Sequence, residues 1–480
     1  MQLILVGFIV YFIIIGIISL FAYAQAQRAE AASYTQAILG NRSVNYVMTA
    51  LSAHASDMSD WLFMAFPALL YGGGLINAWL AIGLIVGMLA SWQYVAPGLR
   101  KATEKYNCMT LSSYFEHRFG DTSGAIRVIS ACMTLFFFAV YIAAGLKGFG
   151  FLAQSIFHIP YALGTFIAIV CAAAYIALGG YRTLAWIDSF QALFLLTVIF
   201  IVPLVGYMQV GGWQAIVSHA HLNHISLAFW PNTVIGMINT LLMAASWGVG
   251  YFGTPHILTK FMGISDVKQM AKAKYVGMSW QIAVLTAAGM VGLIGIAYFP
   301  TLLTNKELVF VEMVKSLFNP LTAGFILSAV AGATLSVIAA QMLVLISVIT
   351  EDFYRPLIHP RASNKELITV YRLGITILAL LSFLVSLDKT TTIQSLVQYA
   401  WMGFACSFSP LVLLSLYGSS INKYGACACI VIGGVIAALW HFVGRSVLLS
   451  TYGLDIPAVV PGFLLGILGA YLISYVTTKK

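Results

Sequence analysis

Three ionisable side chains, His54, Asp57 and Asp60, crowd into one short stretch, His54-Ala-Ser-Asp57-Met-Ser-Asp60-Trp61, inside an otherwise apolar run. A lone lysine, Lys147, lies within another such run. A charged group at bilayer depth costs about 2.5–3.5 kcal/mol on insertion scales, so its presence there points to the handling of an ion or a solute. A second interrupted stretch, Ser246-Trp-Gly248-Val-Gly250-Tyr-Phe-Gly253-Thr-Pro255, mixes polar, glycine and proline residues into apolar text. Such text is tolerated at membrane depth where broken helices line a cavity. Zinc chemistry is not supplied: no cysteine or second histidine joins the His54 cluster. Nor is there a Gly-x4-Gly-Lys-Ser/Thr run to hold ATP, so the energy for any transport must come from a gradient. The outer-loop histidines His219, His221 and His224 lack carboxylate or thiol companions and read as loop residues.

The elements that must position these groups follow from composition. Of 480 residues, 61% are apolar and 8% charged. A soluble domain needs roughly 25% charged residues, and a disordered chain has low hydropathy, so both are excluded. Apolar runs near 20 residues recur along the chain, each long enough to cross a bilayer. They predict thirteen spans, at 3–25, 44–72, 75–96, 126–155, 160–178, 188–210, 232–255, 275–299, 321–349, 366–387, 393–417, 425–443 and 457–477. The first follows no lysine or arginine and is too long for a leader's apolar core, so it reads as an uncleaved span. Of the 24 lysines and arginines, nineteen fall in loops of one side, only Lys306, Lys315, Lys389 and Arg445 on the other, and Lys147 inside a span. That asymmetry predicts an outside N-terminus and a cytoplasmic C-terminus. The net charge of +9 thus faces anionic lipid and argues for no nucleic-acid partner. The six cysteines sit mostly within apolar runs and read as packing residues.

The two interruptions lie five spans apart, as the first helices of two five-helix halves would, and an odd offset inverts one half relative to the other. This is the pattern of inverted-repeat secondary transporters, which bind solute between broken helices near the midplane. The organisation expected is a first helix and loop over 1–43, a first repeat over 44–210, an external loop over 211–231, a second repeat over 232–417 and two terminal helices over 418–480.

Longer motifs carry a resemblance. Gly40-Asn-Arg42-Ser43 and Thr49-Ala-Leu-Ser-Ala53 open the second span, and Ala55-Ser-Asp57-Met58-Ser59 sits at its break. Tyr114-Phe-Glu-His-Arg118-Phe119, Gly179-Gly180 with Asp188-Ser-Phe-Gln191, Trp247-Gly-Val-Gly-Tyr251-Phe-Gly-Thr-Pro255-His256 and Ile349-Thr-Glu351-Asp352-Phe-Tyr354 complete the set. Over nearly its whole length the chain resembles the sodium:solute symporter family, most closely its sodium/proline branch. The resemblance implies an all-α, LeuT-like five-plus-five inverted repeat with thirteen transmembrane helices. It also implies a bacterial cytoplasmic-membrane symporter, not an enzyme, with no organic cofactor. The substrate implied is proline or a similar small amino acid, and the coupling ion is sodium.

The resemblance also implies site residues. The sodium ion would be held by backbone carbonyls of Ala55 and Met58 and by Ala333 and Ser336. The substrate would meet Trp61, Tyr141, Trp247, Tyr251 and Pro255. Arg42, Asp57, Ser59 and Asp188 match positions important for coupling. Read alone, Trp61 and Tyr141 are core aromatics, Ser336 a packing serine, Asp188 a helix N-cap, and Glu351-Asp352 a solvated helix end.

Four positions depart from the family pattern. Val337 stands where a second hydroxyl is usual, Asp60 and His54 replace glycines, and Lys147 replaces an apolar residue. A buried Asp and Lys arriving together predict an intramembrane pair between Lys147 and Asp60 or Asp57. Two functions stay open: the ammonium stands in for the cation, giving sodium-independent or proton-coupled transport with His54 and Asp60 titrating, or Asp60 supplies the oxygen that Val337 lacks. The structural alternatives are a Lys147 that snorkels to the outer interface and a His54 that packs as a hydrogen-bonded histidine. A symporter of another organic solute and a solute sensor that does not transport are the rival functions.

Overall fold

The computed structural model describes residues 2–28, 39–388 and 390–478. Among them the chain is helical throughout. The elements, in order, are α1 (Gln2–Arg28), α2 (Tyr46–Ala55), α3 (Trp61–Gly73), α4 (Leu75–Lys105), α5 (Leu111–Arg118), α6 (Ala125–Phe157) and α7 (Tyr161–Val210). They continue with α8 (Trp213–Leu222), α9 (Val234–Gly250), α10 (Pro255–Met262), α11 (Val267–Tyr298), α12 (Val309–Leu317) and α13 (Pro320–Ile358). The last four are α14 (Asn364–Ser386), α15 (Ile393–Tyr417), α16 (Lys423–Tyr452) and α17 (Val459–Thr478).

Ten helices among the described residues are long and apolar enough to cross a membrane, eleven when α9 and α10 are taken as one span bent by 45°. The two other expected spans, 44–72 and 160–178, are represented by shorter apolar helices, Trp61–Gly73 and Tyr161–Ala174. The first is short because the span is broken. Asn45 caps α2 by accepting from the Met48 N–H at 2.9 Å. The helix stops at Ala55, and residues 56–60 turn before α3 opens in a wide π-type turn, Trp61–Ala65.

The bend between α9 and α10 has a sequence cause. Pro255 opens α10, where its missing N–H costs nothing, and it drives Thr254 into an extended conformation, φ −74° and ψ 111°. Gly253 admits the close approach of α15, since a Cβ there would stand 2.4 Å from the Ser409 nitrogen. A second close approach joins α4 to α9: a Cβ on Gly83 would overlap the Ala244 carbonyl, and one on Gly87 would overlap Gly248. Gly83 and Gly87 are four apart on one face, the small-residue spacing by which membrane helices pack backbone to backbone.

Loop contacts sort into two sets, one at each end of the bundle. At one end, rich in basic residues, Arg42 donates to the Thr103 and Cys108 carbonyls, both at 2.9 Å, and Arg100 to the Ile264 carbonyl at 2.9 Å. At the other, Leu303 N–H donates to the Tyr71 hydroxyl at 2.9 Å, Lys315 pairs with Glu312 at 3.0 Å, and Lys147 reaches the loop after α14.

Candidate functional site

Both broken spans meet at the centre. Asp57, in the break between α2 and α3, accepts a 2.5 Å hydrogen bond from the Tyr251 hydroxyl on the last turn before the α9–α10 bend. Gln281 of α11 donates to the same hydroxyl at 3.2 Å. Asp57 is 6% exposed and Tyr251 fully buried, so the bond is shielded from bulk water and its charge-assisted character is retained. An aromatic column stands beside it. Trp61 lies 5.7 Å from Trp247, Trp247 stacks on Trp401 at 6.0 Å, and Tyr251 meets Trp401 edge-on at 5.0 Å. Tyr141 of α6 contacts this region through the edge of His256, at 5.9 Å. Pro255 is the first residue of α10. The five aromatic and proline positions expected around the substrate therefore come from α3, α6 and the α9–α10 bend, and all are buried.

A second cluster lies between α2, α7, α10 and α13. Asp188 accepts from the Ser52 hydroxyl at 2.6 Å, from the Lys260 ammonium at 2.8 Å and from the Ser336 hydroxyl. Asp188 is fully buried within the 161–210 helix, so it is not an N-cap; its carboxylate faces partners from three other helices. Lys260, read from sequence as a loop charge beyond a span ending at 255, is 3% exposed on α10. It is there because the helix resumes after the bend. Ser336 uses its proton on Asp188, which leaves its oxygen lone pairs free to accept. Ala333, one turn earlier on α13, is buried, as are Ala55 and Met58. The Ala55 carbonyl accepts the Met58 N–H at 3.3 Å within the turn. Val337 is buried and offers no oxygen.

The expected intramembrane pair does not form. The Lys147 ammonium donates to the carbonyls of Asp388 and Thr391, both at 2.5 Å, and to the Thr391 hydroxyl at 2.8 Å. Its long stem carries the charge to the loop between α14 and α15, where backbone carbonyls rather than interfacial water take it, since Lys147 is 0% exposed. In that loop the Thr390 hydroxyl and N–H hold the Asp388 carboxyl below its ordinary range. Asp60 is 1% exposed; its carboxyl sits close to Ser59 and the Trp61 N–H but makes no well-aligned hydrogen bond. Its neighbour Ser59 instead accepts the Trp61 N–H at 3.3 Å. The carboxylate fits only because position 148 is glycine; a Cβ added there would overlap it.

His54 is a packed histidine: its Nε2 accepts from the Trp92 indole at 3.0 Å, and the rings stack at 6.1 Å. Arg42 ties loops together at the basic end, away from the Asp57 centre. Asp352, expected on a solvated helix end, is fully buried and accepts the Thr110 hydroxyl at 2.9 Å, because α5 packs over the end of α13. Sequence reasoning gave no role to Gln281, Trp401, Lys260, Ser52 or Gln394, which donates its N–H to Glu307 at 3.3 Å and accepts the Trp61 indole at 2.9 Å. Only Lys260 carried a signal, a cation five residues after a proline that restarts a helix.

A bundle of apolar helices in which two interrupted spans meet around a shielded carboxylate is the architecture of a multi-pass secondary transporter with a LeuT-like fold. Solved structures agree on the fold. A sodium-coupled sialic acid symporter matches with a TM-score of 0.78 at 16% identity, covering 99% of this chain and 98% of that one. The nucleobase-cation-symport-1 family transporter Mhp1 matches with a TM-score of 0.54 at 13% identity, covering 93% and 95%. The family model for the sodium:solute symporter family matches residues 37–433, and the chain belongs to that family. Among curated relatives, the osmoregulated proline transporter OpuE of Bacillus subtilis is 34% identical over 98% of this chain and 94% of its own length. The high-affinity proline transporter PutP of the same organism is 35% identical over 96% and 95%. A sodium/proline symporter of Haemophilus influenzae is 35% identical over 92% and 89%. The relatives are transporters, and so is this chain; it is not an enzyme.

Proposed function

We propose that the protein takes up proline or a similar small amino acid, driven by a sodium gradient, through alternating access in the cytoplasmic membrane. The observation that carries this reading is the contact of Asp57 with Tyr251, which joins the two broken spans beside the Trp61–Trp247–Trp401 column. Aromatic faces pack an apolar ring, and a helix N-terminus favours a carboxylate. The names of the curated relatives support proline as the solute and sodium as the ion.

Sodium is a hard cation that takes oxygen ligands. The carbonyls of Ala55 and Met58, with Ala333 and the lone pairs of Ser336, are the oxygens this reading assigns to it, Val337 contributing none. The halves that rock against one another are residues 44–210 and 232–417, with the N-terminus outside and the C-terminus cytoplasmic. In this arrangement the outer end is closed: Trp61 is bonded to Gln394, Gln394 to Glu307, and Lys147 to the 388–391 loop. A small cavity beside Pro255 is lined by Met109, Leu111, Leu343, Val344 and Val348 together with Thr110, Ser112, Thr134, Thr259 and Ser347.

The test is labelled proline uptake into proteoliposomes. An inward sodium gradient at equal pH is expected to drive accumulation. Accumulation under an inward proton gradient without sodium, and none under sodium, would replace sodium as the coupling ion. No accumulation under either would remove proline as the solute.

A further inference from the structure

The Tyr251 hydroxyl that donates to Asp57 is itself held by a longer run of polar side chains, all of them buried. Gln281 of α11 donates to that hydroxyl through Nε2 at 3.2 Å. Behind Gln281 stands His54, near the end of α2, and behind His54 stands Trp92 of α4, whose indole donates to the imidazole Nε2 at 3.0 Å. An indole N–H can only donate, so Nε2 accepts and the ring proton is on Nδ1. Nδ1 and the Gln281 Oε1 each lack a well-aligned partner elsewhere, and the two side chains are hydrogen-bonding neighbours. One is a donor and the other an acceptor, so each supplies what burial demands of the other. The imidazole has room because residue 277, one turn before Gln281, is glycine; a Cβ there would stand 2.2 Å from Nε2. The His54 backbone serves the same break, its carbonyl accepting the Asp57 and Met58 N–H groups, both at 3.2 Å.

We propose that His54 and Gln281 are positioning residues for Asp57, forming with Trp92 and Tyr251 a one-way hydrogen-bond relay that fixes the carboxylate at the break and, with it, the oxygens that take the cation. The role presupposes the sodium-driven uptake reading above. Each member orients the next. Trp92 decides which ring nitrogen carries the proton, and His54 decides which end of the Gln281 amide faces it. The amide then has its Nε2 left for Tyr251, and the hydroxyl, already accepting, turns its own proton to Asp57 Oδ2. A hydroxyl that accepts one hydrogen bond donates a stronger one, because bonds in a chain polarise one another at low dielectric. Asp57 lies between Ala55 and Met58, whose carbonyls are assigned to sodium, so fixing its side chain holds the turn that aims them. Glycine, the usual residue of the family pattern at position 54, has no side chain to form the relay. This chain therefore braces the break from α4 and α11 while Val337 removes a hydroxyl from the cation's surroundings.

The test measures labelled proline uptake by the whole protein in proteoliposomes across a range of sodium concentrations. H54F keeps a ring and Q281M keeps the length, and both remove the polar atoms. Each is expected to raise the half-saturating sodium concentration about fivefold, the scale of one net hydrogen bond, with little change in kcat at saturating sodium and proline. H54Q, which still accepts from Trp92 and donates to residue 281, is expected to stay near the wild type. In a Y251F background, which lacks the hydroxyl at the end of the relay, H54F is expected to add nothing further. A histidine that only packs would instead lower the folded yield or kcat and leave the sodium dependence alone. The sodium-induced rise in thermal stability, read on each purified variant, reports the same affinity without transport, and Q281M carries the test should H54F not fold. Wild-type sodium dependence in H54F and Q281M would overturn the relay, as would an H54F effect that persists undiminished on Y251F. A wild-type protein that neither accumulates proline on a sodium gradient nor is stabilised by sodium would refute the uptake reading, and the relay with it.

Discussion

Substituting methionine for Lys260 keeps the length of the side chain and removes the ammonium that lies 2.8 Å from Asp188. The two side chains are 4% and 0% exposed, so water cannot take the place of the lost charge. Breaking a buried pair by removing one member costs about 3–5 kcal/mol, because the remaining charge stays buried without compensation. Here Ser52 and Ser336 still donate to the carboxylate, and hydrogen bonds to a charged group contribute about 1.5–3 kcal/mol each. The expected cost therefore lies at the low end, about 3 kcal/mol for K260M. Removing the other partner, as D188N, leaves the ammonium buried and is expected to cost a similar amount. The double variant K260M/D188N removes both charges and is expected to recover about 2 kcal/mol relative to the sum of the singles, since a neutral replacement of a buried pair is often tolerated.

The assay is chemical unfolding of the purified protein in micelles, followed by tryptophan fluorescence, with all four proteins in one cycle. A K260M cost under about 1 kcal/mol, or singles that simply add, would show that the Asp188 cluster is not a buried ion pair. Sodium-driven uptake by the same variants gives a second reading: freeing Asp188, to which Ser336 donates, from the ammonium is expected to alter the half-saturating sodium concentration.

Adding an oxygen beside the assigned sodium ligands, as V337S, is expected to lower the half-saturating sodium concentration several-fold in the uptake assay; an unchanged value would place the ion elsewhere. Removing the buried Asp60 carboxylate, as D60A, is expected to stabilise the protein by about 1–3 kcal/mol in the same unfolding assay. G148A is expected to destabilise the wild type but be tolerated beside D60A, and equal costs in both backgrounds would refute the contact between the two positions. K147M is expected to cost about 1.5–3 kcal/mol and to speed hydrogen exchange across residues 388–391, which its ammonium pins; unchanged exchange there would refute that role. G83A forces a Cβ into the Ala244 carbonyl and is expected to cost about 1–3 kcal/mol, measured by the same unfolding assay.

Much of this arrangement is legible in the chain because membrane depth makes local rules strict. The break at Asp57 and the bend at Pro255 follow from polar residues and a proline in apolar text, where backbone groups must find partners within the protein. The aromatic positions carried over by family resemblance come together around the bend. What escapes the sequence is the direction in which long side chains reach. Lys147 and Asp60 read as partners because both are ionisable and both are departures, yet an ammonium on a four-carbon stem selects the nearest carbonyls, here those of residues 388 and 391. Lys260 errs the other way, since counting it as a loop charge hides the helix that buries it. Asp188 and Asp352 look like helix-end residues and turn out to be buried acceptors, because the partners Ser52, Ser336 and Thr110 are distant in sequence.

The two buried carboxylates, Asp57 and Asp188, divide the labour of the centre in a way their partners dictate. Asp188 is satisfied by an ammonium and two hydroxyls, all from this chain. Its charge is spent, and its role is to hold α2, α7, α10 and α13 in register where Ser336 and the α2 break approach one another. Asp57 is bonded through Oδ2, with Oδ1 4.0 Å from the His256 imidazole. A carboxylate tied on one side and open on the other suits a transient ligand better than a permanent brace, because the retained Tyr251 bond keeps its position while the second oxygen exchanges partners. Both carboxylates touch α10 or the turn leading into it. Movement of that one short helix would therefore change the Asp57–His256 gap and the Lys260–Asp188 pair together. A single rigid element with different contacts in each state at both carboxylates couples the two, and α10 is placed to be that element.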